Sequence, residues 1–175
     1  GALILLLAGT ILLSLMPTPD ALPGLALMVC AGLILVRILR WQLWHCPERP
    51  DLLILALGYL WLAVGSAATG WHLLIGASAI PALHLITVGA LGTLSTSVML
   101  RLAWQRAQRR YPPAWQVLGL GLLMAVAATA RYRAGPEPFA DPAGLWLSAS
   151  AWSLAYAGVA LQLLRLFPGT RKRRK

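Results

Sequence analysis

The sequence predicts an all-α fold: a polytopic membrane helix bundle of about six transmembrane helices, with both chain ends in the cytoplasm. Three observations support this fold class: the apolar composition, long windows without charge, and basic residues on one side only. Hydrophobic residues make up 59% of the 175 residues and charged residues only 11%. A soluble domain is about 45–50% apolar and roughly a quarter charged, so this composition is typical of a membrane protein.

Three windows contain no Asp, Glu, Lys or Arg, namely 52–100, 111–130 and 142–164. A bilayer crossing needs about 20 mostly apolar residues. The first window has 49 residues and therefore predicts two crossings joined by a turn, with Pro81 near the start of the second. Each of the other two windows is long enough for one crossing.

We predict helices at about 1–16, 22–42, 52–72, 80–101, 113–131 and 144–166. Helices are expected because a lipid-exposed span must satisfy its own backbone hydrogen bonds. They form one transmembrane domain, 1–168, followed by a basic tail, 169–175. Asp51 is expected to cap the third helix and Pro81 to open the fourth. Because the chain begins in apolar sequence without Met, we expect it to be part of a longer protein.

The basic residues predict the orientation of the bundle. Thirteen of the 15 Lys and Arg residues follow the second, fourth and sixth predicted helices. The group after the fourth helix consists of Arg101, Arg106, Arg109 and Arg110. Basic loops face the cytoplasm, and this places both chain ends there. Since topology accounts for the net charge of +10 and no recognition motif accompanies it, we expect the lipid bilayer, and no nucleic acid, as the partner.

His84 lies one turn inside the fourth predicted helix and is followed by sixteen residues without charge. At 100° per residue, its face of the helix contains Thr87, Val88, Leu91 and Ser95, with Gly92 at the margin. The small residues Gly89, Gly92 and Ser95 would let a second helix or a flat cofactor come close. Imidazole is a ligand for haem iron, copper and zinc, so His84 is the candidate metal ligand.

Two interpretations of His84 remain open. A neutral His84 could form a hydrogen bond across helices and tie two spans together, or it could bind a metal or haem. His72 lies at the outer end of the preceding helix and could approach His84, or it could simply face lipid headgroups. His45 lies on the other side of the membrane and cannot share their site.

Residues for other chemistry are missing from the sequence. No Asp or Glu lies within any predicted span, although proton-coupled pumps use such acids as relays. No Ser/His/Asp or Cys/His arrangement suggests nucleophilic catalysis, so we predict no catalytic residue.

The run HLITVGALGTLSTSVMLR, His84 to Arg101, resembles the signature of the NnrS family, which reads approximately HALTVGAIGTMTLAVMTR. LGYLWLAVG, residues 57–65, is similar to the preceding helix of that family, which contains LGYAWL. The resemblance implies the C-terminal half of a bacterial inner-membrane protein of about twelve helices. That family is described as containing haem and copper and as linked to nitric-oxide stress, which implies haem or copper bound by His84. A further ligand would come either from His72 or from a missing half of the protein.

Two positions depart from the family pattern. Ala56 stands where the family has a histidine before LGY, and Arg106 stands where it has a histidine after the signature arginine. Only His84 remains of the three histidines in this region. Two hypotheses therefore follow. In the first, the protein binds haem or copper and acts in the response to nitric oxide. In the second, it is a metal-free scaffold, subunit or transporter half in which His84 only pairs helices. Under either hypothesis, the expected protein partner is a missing N-terminal half or a second copy of the chain.

Overall fold

The computed structural model describes residues 9, 21–42, 49–137 and 141–167, and every regular element within them is helical. The five helices are α1 (Ala21–Arg40), α2 (Pro50–Leu74), α3 (Ile80–Gln108), α4 (Ala114–Arg133) and α5 (Pro142–Leu166). Each is 20 to 29 residues long and apolar enough to cross a membrane. The predicted all-α class is thus confirmed. The predicted first helix, 1–16, lies outside the described residues except for residue 9, and so does the whole tail, 169–175.

Helix α3 is longer than the sequence predicted. The prediction ended this helix at Arg101 because charge marks the lipid boundary, but the helix continues to Gln108. The residues after Arg101 are mostly good helix formers, so the helix persists beyond its apolar part. It ends where Arg109 adopts a left-handed conformation with a φ of 53°, and two prolines follow shortly after.

The predicted capping role of Asp51 is wrong. Helix α2 begins at Pro50, with Arg49 at the N-cap position and no side-chain cap hydrogen bond. Proline suits the first helical position because its φ is already helical and it lacks an N–H that would need a partner. Asp51 therefore lies inside the first turn, where its carboxylate accepts hydrogen bonds from Arg49.

Helix α3 lies at the centre of the bundle. It packs against α2, α4 and α5, while α1 packs on α2 and α5 packs on α4. A cluster of buried apolar side chains joins α2, α3, α4 and α5 and consists of Ile54, Leu100, Val117, Leu120, Met124, Ala155 and Val159. The outward side chains of all five helices are largely apolar and exposed, as lipid-facing surfaces are.

Glycines set the distance between neighbouring helices. A Cβ on Gly70 of α2 would lie 2.5 Å from the carbonyl oxygen of Gly24 in α1, so these two backbones are in direct contact. A Cβ on Gly65 would lie 2.6 Å from Cγ1 of Ile86 in α3. Small residues of this kind are common where membrane helices approach closely. They give the bundle a tightly packed α1–α2–α3 layer.

Two ends of the bundle can be distinguished by charge. The basic end contains the last turn of α1, with Arg37 and Arg40, together with Arg101 and Arg165. The opposite end contains the turn between α2 and α3 and the end of α4, with Arg131. The exposed Trp71, Trp115 and Trp146 lie near the two ends of the helical layer, as in an aromatic belt.

Candidate functional site

Helix α3 contains a π-helical segment, Leu85–Leu91, directly after His84. A π-helix has i→i+5 hydrogen bonds, and such segments are rare and frequently lie at functional sites. The wider turn changes which residues share a face. Leu91 is 64% exposed, although a regular α-helix would place it on the face of His84. Gly92 instead faces the bundle, where a Cβ would lie 3.0 Å from Sδ of Met124.

His84 is half-buried, and its Nε2 atom is enclosed without a hydrogen-bond partner among the described residues. The first turn of α3, which carries His84, packs against α2 and α4. A buried polar atom without a partner is destabilising, and each such atom in a native structure calls for an explanation. In a neutral imidazole one nitrogen carries the proton and the other offers a lone pair, so Nε2 is able to serve as a metal ligand.

Three further buried polar atoms lack hydrogen-bond partners in the described part of the chain. They are Nε1 of Trp61, Oγ of Ser66 and Oγ1 of Thr93. Together with His84, they make a set of two residues on α2 and two on α3, which we call the unpaired column. Helix contacts give its register, because Gly65 lies against Ile86 and Gly89 lies against Trp61. In this antiparallel register Ser66 is level with His84.

His72 lies nearer the membrane surface than His84. Its Nδ1 is 2.8 Å from the carbonyl oxygen of Ser78, which fixes the ring in the turn between α2 and α3. A histidine that donates from Nδ1 to a carbonyl leaves its Nε2 for a ligand. In the register above, His72 is six residues beyond the position level with His84, roughly 9 Å along the helix axis. The two imidazoles therefore occupy different levels.

The small residues of α3 have their space filled by protein side chains. A Cβ on Gly89 would lie 3.0 Å from the indole of Trp61 and 3.2 Å from Cβ of Ala128. Ser95 lies further along α3, and its Oγ is 2.9 Å from the hydroxyl of Tyr156 in α5. At these positions the small residues allow neighbouring helices to pack closely. A flat macrocycle could bind there only by displacing the side chains of those helices.

The donor set at His84 fits an ion bound by a single protein nitrogen. No group of three or more His, Cys, Asp or Glu side chains is close enough to hold a metal within the described residues. A complete metal centre at this level therefore needs ligands from outside the described residues. Among the described residues, the enclosed Nε2 of His84 is a buried nitrogen that has no hydrogen-bond partner and could bind a metal.

A second polar site lies at the basic end, and we call it the Asp51 cluster, consisting of Arg49, Asp51, Arg101 and Tyr111. Asp51 is only 3% exposed. Nε and Nη2 of Arg49 each donate to one of its carboxylate oxygens at 3.1 Å, and Nε of Arg101 lies 3.6 Å from Oδ2. The guanidinium of Arg49 stacks on the ring of Tyr111 at 3.8 Å. The cluster joins the start of α2 to α3 and to the loop that follows α3.

The Asp51 cluster is electrostatically satisfied. The hydrogen bonds that Arg49 donates to Asp51 raise the pKa of the Arg49 guanidinium above its ordinary value. The bidentate arrangement adds geometric specificity to the charge attraction. The other basic residues predicted from topology, Arg106, Arg109 and Arg110, are exposed at the same end of the bundle.

Sequence reasoning did not find the unpaired column or the Asp51 cluster. Ser66, Thr93 and Trp61 look like ordinary packing residues in an apolar helix. Arg101 was assigned to the topology and to the family signature, but not to an ion pair. The signal that could have paired it with Asp51 is the rarity of acids in this chain, which has five Asp and Glu residues in all. His45, in the segment 43–48, lies outside the described residues.

Comparison with known families gives one match. The chain matches the family model described as NnrS protein over residues 1–171, which is nearly its whole length. No curated protein and no solved structure matches the chain significantly. The expected family resemblance is therefore confirmed.

Proposed function

Because the chain belongs to the NnrS family, we propose that it is an integral protein of the bacterial inner membrane that binds a redox metal through His84 and acts in the response to nitric oxide. The metal is copper or the iron of haem, as family membership implies. The basic end faces the cytoplasm in this proposal, because basic loops do so in most membrane proteins. His84 then lies in the outer half of the membrane.

The observation that carries this proposal is the enclosed Nε2 of His84, which has no hydrogen-bond partner among the described residues. Scaffold histidines are expected to form a hydrogen bond across helices, and this nitrogen forms none there. It also directly precedes a π-helical segment within the family signature. Both features are typical of a ligand-binding position.

The packing around His84 favours an ion over a macrocycle. The spaces at Gly65 and Gly89 are occupied by Ile86 and Trp61, so the helices would have to separate before a haem could lie between them. A copper ion requires far less space beside Nε2. One imidazole binds copper weakly and with little selectivity, so we propose that other ligands come from an N-terminal half of a longer protein or from a second copy of the chain.

The residues of this chain would hold and enclose the metal. His84 would supply the ligand nitrogen, and the packed layer of α2 and α3 would exclude water from it. The metal, when bound, would supply the atom to which nitric oxide binds. His72 lies at another level, with Nδ1 already engaged, so it would act at the entrance of the site.

The alternative is a metal-free scaffold, which the tight glycine contacts favour. Gly65, Gly70 and Gly89 all meet neighbouring helices at distances that hold the bundle together without any cofactor. In this second function His84 would have only a packing role.

Metal content and absorption of the purified protein distinguish the two functions. The protein is expressed with both haem and copper supplied, and His84→Ala, His72→Ala and the unchanged chain are compared. We expect bound copper or a Soret band in the unchanged chain and in His72→Ala, and neither in His84→Ala. All three should show the same helical circular dichroism.

The absence of metal and haem from the unchanged chain would favour the scaffold. Because further ligands are proposed to come from an N-terminal half of a longer protein or from a second copy of the chain, the longer protein is measured in the same way. The absence of both cofactors from that protein as well would rule out the metal site. Retention of the cofactor by a folded His84→Ala protein would likewise contradict the role of His84.

A further inference from the structure

A narrow groove opens on the lipid-facing surface between α4 and α5, near the basic end. Its volume is about 200 Å³. Buried side chains of three helices form its floor, namely Leu100, Leu120, Ala155 and Val159. Pockets for drug-sized ligands are about 300–1,000 Å³, so this groove suits a slimmer ligand. It lies towards the other end of α3 from His84 and is separate from the proposed metal site.

Two glycines keep this groove open. Gly119 of α4 and Gly158 of α5 both line it, and a Cβ on either would meet no atom of the described residues within 4 Å. These glycines therefore differ from Gly65 and Gly89, whose missing side chains make room for another helix. Here the vacant space is a feature of the surface itself.

The groove has an apolar body and a polar mouth at the basic end. Leu154 and Leu123 line the apolar part, whereas Gln116, Gln162 and the exposed Trp115 line the part nearest the helix ends. Oε1 of Gln116 accepts a hydrogen bond from Nε1 of Trp104, which leaves the amide N–H groups of Gln116 available as donors. From Gln162 to Leu154 the groove extends roughly 12 Å along α5, comparable to one half of the hydrocarbon core.

Positive charge surrounds the mouth. Arg165 is exposed and lies three residues after Gln162, on the same side of α5. Arg109 and Arg110 are exposed in the loop that leads to Trp115. Among the described residues none of these three arginines forms a salt bridge, because the only carboxylate at this end with such contacts, Asp51, is bound by Arg49 and Arg101.

We propose that this groove is a binding site for an anionic phospholipid, with one acyl chain between α4 and α5 and the headgroup phosphate at Arg165 and the loop arginines. The apolar, slim shape selects the acyl chain, and the arginines and glutamine amides select the phosphate. An isolated basic patch would attract any anion, but the groove adds a requirement for a chain. A lipid bound there would also fill the space beside Leu120 and Val159.

The test is retention of lipid by the purified protein in detergent, measured by native mass spectrometry. The probes are phosphatidylglycerol, phosphatidylcholine with the same acyl chains, and inorganic phosphate. Gly158→Leu fills the groove. Gly32→Leu is the matched control. Gly32 is also exposed on a helix and has no atom of the described part of the chain within 4 Å of its Cβ position, but it lies on α1 away from the groove.

The unchanged chain and Gly32→Leu should retain phosphatidylglycerol in preference to phosphatidylcholine, and Gly158→Leu should retain neither above background. Arg165→Gln should reduce the preference for phosphatidylglycerol about fivefold, the effect of one basic residue at a membrane surface. If Gly158→Leu does not fold by circular dichroism, Gly119→Leu fills the groove from the other wall. The proposal would be overturned if a folded variant with a filled groove retained as much phosphatidylglycerol as the unchanged chain. It would also be overturned if inorganic phosphate raised the melting temperature of the unchanged chain as much as phosphatidylglycerol does.

Discussion

The Asp51 cluster and the unpaired column differ in how their buried polar atoms are satisfied. Both oxygens of Asp51 accept hydrogen bonds from Arg49, and Arg101 adds a second positive charge. The four polar atoms of the unpaired column, by contrast, have no hydrogen-bond partner in the described part of the chain. Both regions involve the same two helices, α2 and α3, so the pairing of buried polar atoms differs with position along these helices.

This contrast separates stability from binding. A satisfied buried cluster fixes how helices pair, and removing one member leaves the others without a partner. An unsatisfied buried polar atom is destabilising, and its presence in a native structure calls for an explanation, of which a bound ligand is one. We infer that the Asp51 cluster holds α2 and α3 in register and that the unpaired column, to which His84 belongs, is the region that binds a ligand.

The largest expected effect comes from removing the centre of the satisfied cluster. Asp51→Ala leaves the guanidiniums of Arg49 and Arg101 facing each other without a carboxylate. We expect a loss of about 2 kcal/mol in unfolding free energy, because hydrogen bonds to a charged group are removed and both guanidiniums stay partly enclosed. Thermal unfolding in detergent measures the loss. A variant as stable as the unchanged chain would show that the cluster does not contribute to the stability of the fold.

The two arginines of the cluster should differ in their effect. Arg49 makes both 3.1 Å hydrogen bonds and stacks on Tyr111, whereas Arg101 approaches Asp51 only to 3.6 Å. Arg49→Gln should therefore lower the melting temperature more than Arg101→Gln does. Each variant controls for the other, since both remove one positive charge at the same end. The reverse order would mean that the signature arginine is the main partner of Asp51.

The fold class could be predicted because lipid imposes it on the sequence. Charge-free windows located four of the five helices that the structure describes, since a charge inside a span is costly. The other, α1, was predicted from its apolar run even though Arg37 and Arg40 lie in its last turn. Helix ends were less predictable, as Arg101 shows, because a helix does not stop where the lipid stops. The π-helical segment was missed because its hydrogen bonding depends on how α3 packs on its neighbours, and a fixed angle of 100° per residue cannot represent it.

The candidate site was only partly predictable for a related reason. His84 stood out because an ionisable side chain is unusual in an apolar helix. The Asp51 cluster depends on a contact between residues that are fifty positions apart in sequence. Which hydroxyls lack partners is equally a property of packing: Thr93 and Thr96 are both fully buried and one turn apart on the same helix, yet only Thr96 donates a hydrogen bond.

That pair of threonines gives the smallest and sharpest prediction. Oγ1 of Thr96 donates to the carbonyl oxygen of Gly92 at 2.6 Å, whereas Oγ1 of Thr93 has no partner among the described residues. Valine replaces the hydroxyl with a methyl group of similar size. Thr96→Val should therefore lower the unfolding free energy by about 0.5–1 kcal/mol, the range for one hydrogen bond in a membrane protein.

Thr93→Val should leave the stability unchanged or raise it, because it removes a buried polar atom that is not hydrogen-bonded. The two substituted positions are one turn apart on the same helix. A loss of stability in Thr96→Val but not in Thr93→Val, in the same thermal unfolding assay, would therefore isolate the effect of the hydrogen bond. A loss at Thr93 as large as that at Thr96 would mean that Thr93 does have a partner in the membrane. The unpaired column would then be reduced to His84, Ser66 and Trp61, and the contrast with the Asp51 cluster would be one of degree.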